Sequence, residues 1–510
     1  MKKILLLFFI LSSALYAQTY KIIDSDISIQ SSSFGLGTTT PYALKKNIPL
    51  DYKKEFTKNE LELYLENYKQ SLSNSRFFES IDVQYEEAEK DSDSEDDIIN
   101  IIVIVNLKDS KHLLAVPYAT FDQDINQTSI NPKIKAKDTN FLGSMNPLSM
   151  DLNVEILKEE NDSNWFITPG LNISYDYPFK LSPFDVTWVN DYELGFTFGE
   201  NSPEWDAKTG LKFELPFEKI SFIFEAYQHF YRDFDYEEYG DDLYFQEEFQ
   251  FSTPVKIAKF NNYSDLRYTP LLNINWYWDS DSINKNNDEL SSPQLTISHS
   301  LENSKINWNN NFRNGYYFSL SNSWMYNIQR LDLSPSIAFE GMFYKSLEIA
   351  DRNFLDIIGV CTDLYAFIHF DLPDNSFYYG KKIGKRLRGI ADESFFGNEK
   401  PNYTSSAALV WNLDLPLNII RTSFKKDLIN MNIQLSPFFD MAIYRDRSKN
   451  PEVNTALCSG LEVLVYPKKW SSFIIRGSLG FDLKSAFSED NIIKGLLHNK
   501  EISFGLGLLY

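Results

Sequence analysis

The side chains able to do catalytic or metal chemistry are few and widely spaced. The five histidines (His112, His229, His299, His369 and His498) stand singly along the chain. There is no Gly-x-Ser-x-Gly elbow to expose a serine nucleophile, no His-Glu-x-x-His pair to present two metal ligands on one helical face, and no Cys-x-x-Cys unit. Cys361 and Cys458 are too few for a disulfide scaffold; in an oxidising compartment they form one bridge or remain two unpaired strand residues. The acidic clusters at residues 91–97 and at Glu237-Glu238 suit weak calcium binding or, read more simply, are solvated loops. No enzyme, metal or cofactor is expected, and binding or transport becomes the class of function to consider.

The elements that would carry such a function start with an export signal. Lys2 and Lys3 precede the apolar run Ile4 to Leu11, and small or neutral residues follow to Ala17. That is the order of a secretory signal peptide over residues 1–17, cleaved after Ala17, with an uncleaved anchor as the alternative. No later segment reaches the ~20 apolar residues of a membrane helix. Yet aromatic residues make up 15% of the chain, with 40 Phe and 30 Tyr, a composition that suits strands ending in aromatic girdles. The net charge is −22, and −24 once Lys2 and Lys3 are gone, which argues against nucleic acid as a partner. Loops and a barrel lumen are where that acidity is expected.

The remaining chain divides near residue 110. Thr57 and Glu60 fit a capping box and Phe56 and Leu61 a hydrophobic staple. Leu61, Leu65, Tyr68 and Leu72 then recur at helical spacing. After Ser75 the period becomes two through Ile81, Val83 and Tyr85, and Ile98 to Leu107 is a β-prone run. From Lys111 onward, segments of about ten residues alternate apolar with polar, one set facing lipid and the other a lumen. Leu148, Met150, Leu152, Val154 and Ile156 are one example. The last alternates through Ile502, Phe504, Leu506 and Leu508 to an aromatic terminus, Tyr510.

These segments resemble known modules. Asn74-Ser75-Arg76-Phe77-Phe78-Glu79-Ser80-Ile81-Asp82-Val83 is similar to the "N-x-G-x-F-x-x-V-x-V" step of the POTRA domain, a small periplasmic α/β module with two helices on a three-stranded sheet. Its first strand would be Ile27 to Gln30, and its first helix has no legible pattern. Asp138-Thr139-Asn140-Phe141-Leu142-Gly143 and Ile173-Ser174-Tyr175-Asp176-Tyr177-Pro178-Phe179 resemble early-barrel motifs of the BamA/TamA superfamily of outer-membrane insertases and transporters. Lys385-Arg386-Leu387-Arg388-Gly389-Ile390, with Phe396-Gly397-Asn398 after it, resembles that family's inward loop tip, and Phe438-Phe439-Asp440-Met441-Ala442 its "F-F-D-x-G" strand. The resemblance implies that Arg388, beside Gly389, pairs with Asp440 in the lumen. Ile390 and Ala442 stand where the family has an aromatic and a glycine. Asn412 occupies the place of a second carboxylate, and Asp414 shares its inward parity.

The expected architecture is mostly β: a POTRA-like domain over 18–110, then a transmembrane antiparallel barrel over 111–510, with 16 to 18 strand candidates and 16 as the preferred number. The resemblance implies a laterally gated barrel in the outer membrane, its N-terminal domain periplasmic, handling unfolded outer-membrane or secreted clients with a TamB-like or lipoprotein partner. Gly505 and Gly507, beside Phe504 and ahead of Tyr510, either weaken the seam or relieve crowding in the lumen. The client-binding edge of the POTRA-like domain is not assigned. The alternative is a passive pore, adhesin or structural surface barrel.

Overall fold

The computed structural model describes residues 18–32, 35–88, 98–123, 127–159, 165–196, 203–232, 243–260, 264–279, 293–328, 331–349, 355–370, 381–390, 404–422, 430–446, 452–488, 491–498 and 500–506. The signal segment, the acidic clusters at 91–97 and 237–238, Phe396-Gly397-Asn398, Gly507 and Tyr510 lie outside these residues. The chain forms two compact units. The first runs to His112 and takes in Thr139–Met145 and Lys469–Ser472; the second comprises Leu113–Asp138, Asn146–Lys468 and Phe473–Tyr510.

In the first unit β1 (Thr19–Gln30), α1 (Pro41–Asn47), β2 (Glu55–Thr57), α2 (Lys58–Ser75), β3 (Phe78–Glu87) and β4 (Ile98–Asp109) follow in order. The sheet runs β2-β1-β4-β3, with β1 parallel to β4 and the other pairs antiparallel. Helix α2 starts where the sequence says it should. The Thr57 Oγ1 accepts from the Glu60 amide, and the Glu60 carboxylate accepts from the Thr57 amide at 2.9 Å. The Thr57 amide and then the Thr57 hydroxyl, both donating to the carboxylate, hold the Glu60 carboxyl below the usual glutamate range. The helix buries Leu61, Leu65, Tyr68 and Leu72, and ends at Arg76 in the left-handed region (φ 59°). Burial pushes the Tyr68 phenol upward.

Two features of this unit differ from the sequence reading. The first strand begins at Thr19 rather than Ile27, because only Tyr20 and Ile22 reach the core before a bulge at Ile22/Asp24 breaks the alternation. The short β2 adds a fourth strand beyond β1. The first helix has just two buried residues, Ala43 and Leu44, too few to show a period; its start is marked instead by Thr40, which caps the Ala43 amide, and by Pro41.

The second unit is one large antiparallel sheet whose strand order closes on itself as a barrel. Of its twenty-one strand segments, Val255–Phe260 continues Leu243–Ser252 on the same partner strand, and Leu417–Thr422 likewise continues Thr404–Asp414. Pro254 and Pro416 interrupt them, since proline has no amide for the ladder. Lys381–Lys382 is a two-residue bridge in a loop. Eighteen staves therefore remain among the described residues, at the top of the expected range of 16 to 18 and two more than the preferred sixteen. Strand Ile357–His369 explains part of the shortfall. Its inward residues include Ile357, Cys361, Tyr365 and Phe367, so the apolar–polar alternation is lost. Facing pairs such as Ile297–Trp324 and Phe224–Phe251 are exposed on the outer face. The short helices Leu483–Ser488 and Ile492–His498 lie between the last two staves. Among the described residues no helix is long and apolar enough to cross a membrane.

Leu61 has no exposed surface in the core of the first unit. Leu61→Ala is expected to cost about 2–5 kcal/mol. Limited proteolysis of the full chain, followed as cleavage within residues 18–112 against urea concentration, measures that loss.

Candidate functional site

Residues 381–390 enter the barrel and are held there by two kinds of force. The first is apolar. Ile383, Leu387 and Ile390 are buried in one cluster with Phe367, Ala408, Val410, Ala442, Ala456 and Cys458, all on the staves. Ile390 and Ala442, the two departures from the family pattern, thus belong to the same packed patch.

The second force is charge. Arg388 is 2% exposed. Its Nε donates to Asp440 Oδ2 at 2.9 Å and its Nη2 to Asp440 Oδ1 at 2.7 Å, a bidentate geometry. Its own backbone amide also donates to Asp440 Oδ2, at 2.9 Å. Nη1 donates to Asp414 Oδ1 at 2.6 Å, and Glu462 Oε2 lies 3.8 Å from it. The guanidinium sits 3.9 Å from the centre of the Phe438 ring. Asp440 and Phe438 are buried while Ile443 is exposed, so the strand's parity sets which residues reach the loop.

Asn412 does not touch Arg388. Its Nδ2 donates instead to the Arg386 carbonyl at 2.7 Å. Gly389 has φ +96°, a region open to glycine, and a Cβ there would stand 2.5 Å from the Phe481 amide nitrogen. In the terminal strand, Phe504 faces outward, and a Cβ on Gly505 would sit 3.2 Å from Arg476 Nη2, so crowding there comes from Arg476. Gly507 and Tyr510 lie outside the described residues.

Several participants escaped the sequence reading. Arg386 donates to Asp363 at 2.9 Å and to Glu340 at 2.6 Å, and lies 3.8 Å from the centre of the Tyr365 ring. The Gly389 amide donates to Glu501 Oε2 at 2.5 Å. Glu340, Asp363, Glu462 and Glu501 are all carboxylates at inward parity, and that position was the available signal. From Thr139 to Gly143 the motif does other work, within the first unit. Asn140 Oδ1 accepts from the Met145 amide and its Nδ2 donates to Thr39 Oγ1, both at 2.8 Å. Thr39 in turn donates through its amide and hydroxyl to Asp109, each at 2.8 Å. His112 is fully buried beside this network. Both cysteines are free thiols.

No family model matches the chain, and no curated protein matches it. Among solved structures it is similar to CdiB from Acinetobacter baumannii, at 13% identity over 96% of this chain and 74% of that one, with a TM-score of 0.44. It is similar also to BamA from Haemophilus ducreyi lacking POTRA domains 1–3, at 12% identity over 96% of this chain and 84% of that one, with a TM-score of 0.36. The siderophore receptor PirA from Acinetobacter baumannii follows at 10% identity over 75% of this chain and 64% of that one, with a TM-score of 0.30. None of these likenesses says what this chain does.

Arg388→Ala leaves Asp440 and Asp414 facing each other without their shared cation. The expected loss is about 3–5 kcal/mol, seen as a lower temperature for the barrel's heat-dependent gel shift. The exchange Arg388→Asp with Asp440→Arg is expected to recover part of it, and Asn412→Ala to cost less than either single charge reversal.

Proposed function

We propose that the chain is an outer-membrane β-barrel of the BamA/TamA type that inserts or translocates unfolded client proteins, with its N-terminal unit serving as a periplasmic POTRA domain. The observation that carries this reading is the Arg388 hairpin bound to Asp440 and Asp414 inside a closed sheet. A simple pore needs neither this buried clamp nor the N-terminal unit.

Three further features support the reading. Large apolar side chains such as Phe222, Phe224, Phe249, Phe251, Leu272, Ile297 and Trp324 stand exposed on the outer face, where only lipid would cover them without penalty. The first unit offers the strand, two helices and two strands of a POTRA fold, with the Asn74–Val83 step leading from α2 into β3. Residues 1–17 have the signal pattern that export to the periplasm requires. No catalytic group is needed, because a client strand that folds into lipid supplies its own driving force. The client would add to an unpaired strand edge, at the seam or on the periplasmic sheet. A TamB-like or lipoprotein partner fits the same reading.

Depletion of the protein, followed by quantitation of the outer-membrane and secreted proteomes, tests the proposal. Loss of many barrels is expected if the chain inserts them, and loss of one secreted protein if it exports a dedicated client. An unchanged proteome would refute both.

A further inference from the structure

The loop tip reaches the last described strand, and the way it does so has no counterpart in the Arg388 pairing. Between Arg386 and Gly389, three residues (Arg386, Arg388 and Gly389) bind carboxylates or amides on successive staves of the sheet. Arg386 takes Glu340 and Asp363, on Asp332–Glu348 and Ile357–His369. Its carbonyl takes Asn412, on Thr404–Asp414. Arg388 takes Asp414 on that same strand, Asp440 on Met431–Asp446 and, more distantly, Glu462 on Val453–Pro467. Gly389 then takes Glu501 on Lys500–Leu506.

Between those last two strands lies Ile475–Asp482, and the tip meets it through glycine. Gly480 pairs directly with Glu501 across the ladder. A Cβ on Gly480 would lie 2.7 Å from the Gly389 Cα, so the missing side chain makes the slot in which Gly389 sits. Glu501, from the neighbouring strand, is 2% exposed and closes that slot by accepting the Gly389 amide. A buried carboxylate is costly without donors, so the docked tip stabilises the strand that carries it. Among the described residues that ladder runs from Ile475↔Leu506 to Phe481↔Lys500, so the slot at Gly480↔Glu501 sits one pair from its described end.

We infer that Glu501 and the Gly480 slot couple loop docking to the pairing of the terminal strand: while the tip is docked Lys500–Leu506 stays zipped, and release of the tip frees that strand before any other. Glu501 is in this sense a positioning residue. It acts on the seam through the Gly389 amide, and Arg388 acts on the same strand by holding the tip in place. The inference deepens the function proposed above and rests on it for what an opened seam would accomplish; the coupling itself needs no client.

Hydrogen–deuterium exchange on the purified full-length barrel in lipid tests it. Arg388→Ala and Glu501→Ala are each expected to speed exchange in residues 500–506 by about tenfold or more, with residues 294–327 as in the wild type. Glu501→Gln keeps an oxygen acceptor for the Gly389 amide and is expected to restore protection. If Arg388→Ala does not assemble, Arg388→Lys is read the same way. Wild-type protection of 500–506 in the Arg388 variant overturns the coupling, as does uniform acceleration of all strands in Glu501→Ala. A barrel that shows the coupling yet leaves the proteome unchanged on depletion overturns the functional reading alone.

Discussion

A guanidinium buried among carboxylates is the constraint on which the second unit turns. Arg388 meets Asp440 and Asp414 at hydrogen-bond distance, and Glu462 lies within ion-pair range. Burial of any one of these charges alone would be strongly unfavourable, so each requires the others in place. Mutation and undocking differ in what they leave behind. Removal of Arg388 by mutation strands its carboxylates against the packed loop. Withdrawal of the whole loop admits water to the lumen, where the same carboxylates are solvated again. Docking is therefore far closer to balance than the strength of the individual bonds suggests. The buried aliphatic side chains Ile383, Leu387 and Ile390, each contributing about 1.5–3 kcal/mol on full burial, tilt it towards the docked state.

The backbone of the tip obeys the same accounting. A loop tip inside a barrel lacks a partner strand for all of its amides, and every buried N–H needs an acceptor. The Arg386 and Leu387 amides turn back onto the Ile383 and Gly384 carbonyls, and past that turn the acceptors are carboxylates. The Arg388 amide goes to Asp440 and the Gly389 amide to Glu501, while the Arg386 carbonyl receives Asn412. Side chains from the staves thus replace the partner strand that the tip lacks, and they fix its position residue by residue. Arg386, tied to Asp363 and Glu340 and stacked over Tyr365, holds the other end of the segment, so that the tip is bound from both sides.

Legibility in the sequence followed burial. Helix α2 was readable because its cap, its four apolar positions and its end all agree. The strand Leu148–Glu159 was readable because apolar and polar residues alternate without exception in the sequence from Leu148 to Ile156. Helix α1 was not, because two buried residues make no period, and β1 was not, because its alternation stops at a bulge. In the barrel, one strand that escaped the reading is a stave that meets the loop. Ile357–His369 packs apolar residues on its inner side, which removes the polar half of the pattern. At the site, Asp414 was visible through its parity with Asn412, whereas Arg386 was obscured by standing two residues from another arginine. Glu501 carried only its inward register in a strand otherwise notable for its outer face.

The inner wall is accordingly of three kinds, and their arrangement follows from what each must face. Staves from Ile357 to Leu464 present apolar and ion-pairing residues to the loop. Staves between Gln294 and Ser336 present small hydroxyls, with Ser298 opposite Ser323 and Ser323 opposite Ser336. Staves from Asp151 to Glu248 present charge, with Lys208 paired to Glu248, Lys212 to Glu225 and Lys135 to Asp151. A wall built to hold a loop by desolvated contacts cannot also be a hydrated surface, since the water that suits one weakens the other. Among the described residues the loop tip is held on one arc, and the hydroxyl-bearing and charged staves lie away from it. That division places the docked segment beside the last described strand, where its release bears most directly on closure.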